Sequence, residues 1–325
     1  MWPDLTLLDG FLGGGSISLY AKAQGLRVIG TDIAERAMVT GHALVANNRT
    51  RLRCEDILRI AAPTDAPPGR VERDYAPQVF TQPQARFIDR ALAIADASAD
   101  PTRAALLRLL VLRVAMAIHP MSQVRKGTIG RITTGEFENV TPSCLPRYID
   151  SLRIMRPEAL WKLAQLINAG VFEGRAEVRK VSVIEALPGI EAAAAYWDPP
   201  YINSMAYEGE YRVLDELLEG SAKPISPFTK KDGVEQLDLL FERGQHIPVW
   251  ILSYGNVGVG LEDLVAKMAR FGRATRALEI RYQHLPAVAT EAKKEANREL
   301  LVIGWDESAV AALHASAPRK EVVHA

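Results

Sequence analysis

The sequence predicts an α/β protein: a doubly wound, mostly parallel sheet that closes in an antiparallel hairpin and carries an inserted helical subdomain. Three observations predict it. Short apolar runs alternate with helical stretches toward both ends of the chain, a glycine-rich turn joins the first run to the first helix, and between these regions the rhythm breaks into a long helical, basic stretch.

Leu5 to Leu8 reads as a short buried strand, followed by the Gly10 to Gly15 turn and a helix from Ser16 to Gln24 that Gly25 ends. Leu26 to Gly30 is a second strand closed by Thr31-Asp32, Ala34 to Ala46 a second helix, and Arg51 to Leu58 a third strand. Pro63 to Pro68 is proline-rich and irregular, and Gln84 to Leu166 reads mostly as helices around a polar loop. The sheet resumes with Ala176 to Val183, Ala195 to Trp197 and Pro248 to Ser253, and Thr275 to Tyr282 with Glu299 to Trp305 forms the closing hairpin. The expected division is an α/β domain from 1–65 and 170–310, a helical insertion over 75–165, and a tail from 311–325.

Across 325 residues, 39 Lys and Arg balance 39 Asp and Glu, so overall charge gives a polyanion-binding reading no support and any such site must be local. Residues 101–165 supply one, with ten Lys and Arg against four Asp and Glu. Cys54 and Cys144 are far apart and sit in no CxxC or Cys/His cluster, which predicts neither a disulfide framework nor a metal site and fits a reducing, cytoplasmic setting. No apolar run approaches the ~20 residues of a membrane span.

In Asp9-Gly10-Phe11-Leu12-Gly13-Gly14-Gly15-Ser16 the missing side chains let the backbone turn tightly and approach a ligand, as a cofactor loop requires. The dinucleotide fingerprint would need a glycine where Ser18 stands. Asp32, ending the next strand, faces the same crevice and is a candidate acceptor for ribose hydroxyls. Asp56, ending the third candidate strand, is either an acceptor for a cofactor's adenine amino group or a helix cap.

Asp198-Pro199-Pro200-Tyr201 is the most informative stretch, since chance would place this tetrapeptide in a chain of this length on the order of once per thousand proteins. An aromatic amino nitrogen is a poor nucleophile because its lone pair is delocalised into the ring. Hydrogen-bond acceptors draw that pair back: Asp198 supplies an ionised one and the Pro199 carbonyl a second. Pro199 and Pro200 stiffen the turn, and Tyr201 offers a ring for stacking, worth roughly 1 to 3 kcal/mol per base.

These motifs in this order resemble the Dam-like adenine-specific DNA methyltransferases of the DPPY class, in which an FxGxG loop comes first, a target-recognition insertion follows and DPPY comes later. The resemblance runs from Asp9 to about Trp305 and takes in Leu252-Ser253-Tyr254-Gly255-Asn256 and Asn297-Arg298-Glu299-Leu300-Leu301-Val302-Ile303. It implies a Rossmann-like methyltransferase fold with S-adenosylmethionine as cofactor and double-stranded DNA as partner, the target adenine being flipped out for methylation at N6. By the same resemblance Asp9, Phe11, Gly13 and Gly15 shape the cofactor loop, Asp32 binds ribose, and Asp198 to Tyr201 hold the target amino group. The chain departs from the family in having Ser182-Val183 where many members carry an acidic residue, a duty Asp56 would then take.

For DNA phosphates the candidates are Arg125, Lys126 and Arg131, in a loop with Gly127 and Gly130, together with Lys294 and Arg298 in the hairpin. Arg103, Arg108 and Arg113 read equally well as a solvated helix face, and Tyr207 and Tyr211 as base-pocket walls or packing. A nicotinamide enzyme would leave DPPY unexplained. Cytosine ring methylation would call for a nucleophilic cysteine, usually after proline, but Cys54 follows Arg53 and Cys144 follows Ser143. Methylation of RNA, or a nucleic-acid-binding module without catalysis, are the remaining alternatives.

Overall fold

The computed structural model describes residues 5–62, 66–118, 153–201, 205–219, 226–230, 233–256, 258–281 and 297–316. Strands β1 (Thr6–Asp9), β2 (Arg27–Asp32), β3 (Ala176–Lys180), β4 (Ala194–Trp197), β5 (Val249–Gly255), β6 (Ala274–Arg281) and β7 (Arg298–Trp305) form one sheet in the order β3-β2-β1-β4-β5-β7-β6. The first five run parallel, and β7 pairs antiparallel with both β5 and β6. This is the Rossmann-like fold with a closing hairpin that the sequence predicts. Between β1 and β4 the chain order switches direction, and there the register sets Asp9 against Tyr196. Ligands of open α/β sheets bind at the carboxyl ends of strands beside such a switch.

Successive β1 residues feed opposite faces of the sheet. Leu7 packs with Val28, Val45 and Ala21 of α1 (Ser16–Ala23). Leu8 packs with Ile29, Ala195, Trp197 and Trp250 against α8 (Val183–Ala186), α10 (Gly233–Arg243) and α11 (Leu261–Ala269). On that second face Phe241 stacks on Trp250 at 5.1 Å, and the Trp250 indole donates to the Gly244 carbonyl at 3.0 Å.

On the α1 side, helix α2 (Glu35–Thr40) continues into one wider π turn, Gly41–Val45. Lys22 of α1 is buried and donates to the carbonyls of Val45 and Asn47, both at 2.8 Å, satisfying backbone acceptors that the helix end leaves open. Burial lowers the Lys22 pKa to about 8.

Between β2 and β3 the chain adds α3 (Cys54–Ala61) and α4 (Arg70–Tyr75) and then, over the expected insertion, α5 (Gln82–Asp96), α6 (Pro101–Ile118) and most of α7 (Pro157–Ala169). Leu106, Leu107, Leu109, Leu110 and Val111 are all buried, so α6 is enclosed nearly all round, as a helix apolar on every side must be. Its core is continuous with Val39, Ala43 and Leu44 of α2 and its π turn, and with Val213, Leu214 and Leu217 of α9 (Met205–Glu219). The insertion therefore thickens one helical layer of the sheet rather than enclosing a core of its own. Helix α12 (Glu307–Ser316) follows β7 and spans the start of the segment expected as a tail.

One element differs from the sequence expectation. Arg51 to Leu58 is no strand: α3 begins at Cys54, and the third strand of the sheet is Ala176–Lys180. Ile57 and Ile60 are buried while Leu58 is exposed, a helical spacing, and Asp56 closes a capping box by accepting from the Arg53 amide at 2.8 Å. Among the described residues no helix is long and apolar enough to cross a membrane.

Candidate active site

The glycine loop leaves β1 beneath β4. A side chain at Gly10 would meet the Trp197 ring at 2.7 Å, so glycine there lets the loop lie against the strand that carries the tetrapeptide. Gly13 and Gly15 adopt left-handed backbone, with φ of 48° and 74°, a region that only glycine enters without strain. A Cβ at Gly14 would meet nothing within 4 Å and one at Gly13 only the Phe11 carbonyl at 3.7 Å, so the outer rim of the loop is an open cradle. Phe11 points inward, its ring edge-on to Phe228 at 5.1 Å.

Asp32 stitches this loop to β2. One of its carboxylate oxygens accepts from the Gly13 amide at 2.9 Å and the other from the Ala34 amide at 2.8 Å. Burial raises its pKa, and those amides with nearby Arg36 work against the rise. Asp9 is buried and accepts from the Ser18 hydroxyl at 2.7 Å. Ser18, which breaks the dinucleotide fingerprint, thus serves as a hydrogen-bond partner to the carboxylate that ends β1. Burial, with Asp32 nearby, pushes the Asp9 pKa up to about 6.

Asp198 follows directly on β4, at the carboxyl end of the strand. Its side chain keeps a solvent-exposed face and, among the described residues, has no hydrogen-bond donor. The protein packed around that strand end desolvates it, Glu299 and Asp9 add like charge, and together they push its pKa up to about 7. Tyr201 is half-buried; its ring lies over Gly255, where a Cβ would stand 2.9 Å away, and meets Tyr254 edge-on at 5.3 Å. Its hydroxyl donates to the two oxygens of Glu299 at 3.1 and 3.0 Å, and Ser253 donates to the same carboxylate at 2.6 Å. Tyr196 is hydrogen-bonded to Ser253, and burial pushes its phenol up to about 12.

The sheet thus gathers Asp9, Asp32, Asp198 and Glu299 at one end, and all four are linked electrostatically, Asp32 to Asp9, and Asp9 and Glu299 to Asp198. Such a site favours a cation and disfavours a pyrophosphate. No family model matches the chain. Across 92% of its length and 90% of the relative's, the chain is 28% identical to Type II methyltransferase M2.HphI of Haemophilus parahaemolyticus.

The fold brings Asp9, Phe11, Gly13, Gly15, Asp32 and Asp198 to Tyr201 to the same sheet end. Asp56 is elsewhere in role: its carboxylate accepts from Arg103 at 3.0 and 2.7 Å besides capping α3, so the helix-cap reading holds and the strand end that made it a cofactor candidate does not exist. Arg108 is likewise spent on Asp96 at 2.6 Å. Tyr211 packs against the insertion core with Arg36 over its ring at 4.5 Å, which is the packing reading. Arg298 stands at the start of β7, next to Glu299, its guanidinium donating to the Asn297 carbonyl at 2.9 Å. Arg125, Lys126, Arg131, Lys294 and the side chain of Tyr207 lie outside the described residues.

Glu299, Ser253, Tyr196 and Ser18 escaped sequence reasoning. The available signal was an acid just before the apolar run Leu300 to Ile303, which strand pairing sets opposite Gly255 at the end of β5.

Proposed function

We propose that this protein transfers a methyl group from S-adenosylmethionine to the exocyclic amino group of adenine in DNA. The observation that carries the reading is Asp198, a carboxylate at the switch point of the sheet with no protein donor among the described residues, held beside the glycine loop by the pairing of β4 with β1. The acidic sheet end suits a sulfonium cation, and the open rim at Gly13 and Gly14 leaves room for a ligand against the backbone. Likeness to a Type II methyltransferase supports methyl transfer, and with the family resemblance it supports DNA as the substrate and a role in restriction and modification.

S-adenosylmethionine, when bound, would supply a methyl group made electrophilic by its sulfonium. Asp32 would hold the ribose through the lone pairs that Gly13 and Ala34 leave free, and the start of α1, where Gly15 provides no side-chain cap, would receive the carboxylate of the methionine portion. Asp198 and the Pro199 carbonyl would accept the two amino hydrogens and keep the nitrogen lone pair off the ring. Methylation of the nitrogen would require one amino proton to leave. Asp198, with its pKa near 7, is matched to take that proton in neutral solution. The target base must leave the duplex to reach this site, at a cost of a few kcal/mol that stacking and backbone contacts offset.

The test is incubation of the purified protein with methyl-labelled S-adenosylmethionine and mixed-sequence duplex DNA, followed by digestion to nucleosides and mass spectrometry. N6-methyladenine is the expected product. Label in methylated cytosine alone would overturn the base assignment, and label in RNA but not DNA would overturn the substrate.

A further inference from the structure

We propose that Glu299 is a positioning residue of this site, a fixed negative charge that ties the tetrapeptide to β5 by holding Tyr201 and Ser253 at once. It rests on the methyl-transfer reading for its consequence but on the hairpin geometry for its existence. Glu299 lies on β7 directly across from Gly255, where the missing side chain lets the Tyr201 ring approach the strand. Oε1 accepts from both Ser253 Oγ and Tyr201 Oη, and Oε2 accepts from Tyr201 Oη as well, so one carboxylate fixes the rotamers of two side chains on different segments. Ser253 in turn meets Tyr196, the residue two before Asp198. The chain of contacts therefore runs from the closing hairpin through β5 to both sides of the Asp198 turn.

A carboxylate is an unexpected choice for a purely structural tie, because a neutral acceptor would hold two hydroxyls without adding charge beside Asp198. The groups that face it or act with it are Tyr196 of β4, Asp198 and Tyr201 after that strand, Ser253 of β5 and its own neighbour Arg298, with Asp9 of β1 acting on Asp198 from the other side. Acid prevails in that set, and Glu299 is the strongest charge acting on Asp198. Its consequence is that the ionised form of Asp198 is a stronger base, better matched to take the proton that the substrate amine must lose.

The experiment compares wild type with Glu299→Gln, which keeps shape and one acceptor oxygen while removing charge, and with Glu299→Ala. In protein labelled with 13Cγ-aspartate, the Asp198 resonance, assigned by its absence in Asp198→Asn, is followed through a pH titration. Its midpoint should move down toward the ordinary carboxylate range in Glu299→Gln; an unmoved midpoint overturns the inference. Methyl transfer gives the second readout. Glu299→Ala should lower kcat/KM about tenfold, and that loss should shrink when Tyr201→Phe is already present, because the Tyr201 hydroxyl no longer needs holding and only the Ser253 contact and the charge remain to be lost. Additive losses would mean that Glu299 acts on the fold and not through Tyr201. A wild-type protein that transfers no methyl group would sink the function proposed above, and the titration would still decide the role of Glu299.

Discussion

At the glycine-loop side of the sheet end, both oxygens of Asp32 are engaged by backbone amides of Gly13 and Ala34, whereas at the tetrapeptide side Asp198 has no donor among the described residues and stands in a field of like charge. The first carboxylate holds the glycine loop in shape as well as facing a ligand. The second holds nothing, and its ionised form costs the free protein stability. A charged group that does no structural work, kept where its surroundings oppose its charge, is placed for a ligand.

Replacing each group breaks that comparison in a different place. Asp198→Ala should fold and bind S-adenosylmethionine but lose roughly 10²–10³-fold in kcat or more, as removal of a preorganised acceptor does. Labelled methyl transfer beside calorimetry with the cofactor would show it, and undiminished transfer would refute the contrast. Asp56→Ala should cost about 2–4 kcal/mol of stability in denaturant titration, from a lost cap and an orphaned Arg103, with cofactor affinity unchanged. A weakened cofactor at full stability would restore the role that the helix removed from it.

Asp32→Ala should weaken the cofactor by roughly 10–100-fold and also lower the melting temperature, because two amides lose their acceptor. Loss of affinity with no change in melting would mean that the loop keeps its shape without Asp32.

The smallest effect is one of pH. The folded pKa of Asp198 is raised to about 7 from an ordinary 3.8, so protonation favours the fold. The penalty of ionisation builds as pH rises from about 4 to 7 and is complete above 7. Asp198→Asn should therefore melt higher than wild type at pH 8, by on the order of 1–2 °C because the carboxylate keeps an open face, and match it near pH 4. Wild-type kcat/KM should fall as pH drops through 7 and the acceptor is lost. A melting difference that grows toward low pH would have the wrong sign.

What could be read in the sequence, and what could not, divides along the same line. Glycines at 13 and 15, Asp32 after the second strand and DPPY after a later strand are local patterns, each dictated by a turn or a strand end, and the sequence located them all. Asp56 misled because a polar residue after a few apolar ones fits a strand end and a helix start alike, and only the burial of Ile57 with Ile60 and the partner Arg103, 47 residues away, decides between them. Ser18 stood in plain view as a missing glycine, and its purpose appeared only when folding put Asp9 beside it.

The sequence by itself determined the alternation of strands and helices, the glycine turn after the first strand and the tetrapeptide after a later one, because those depend on backbone preferences and contacts among near neighbours. Tertiary structure alone decided that the insertion shares its core with α2, that four carboxylates meet at one sheet end, and that Glu299 grips Tyr201 from 98 residues away. Strand pairing makes these neighbours, and no local pattern in the chain encodes which strands will pair.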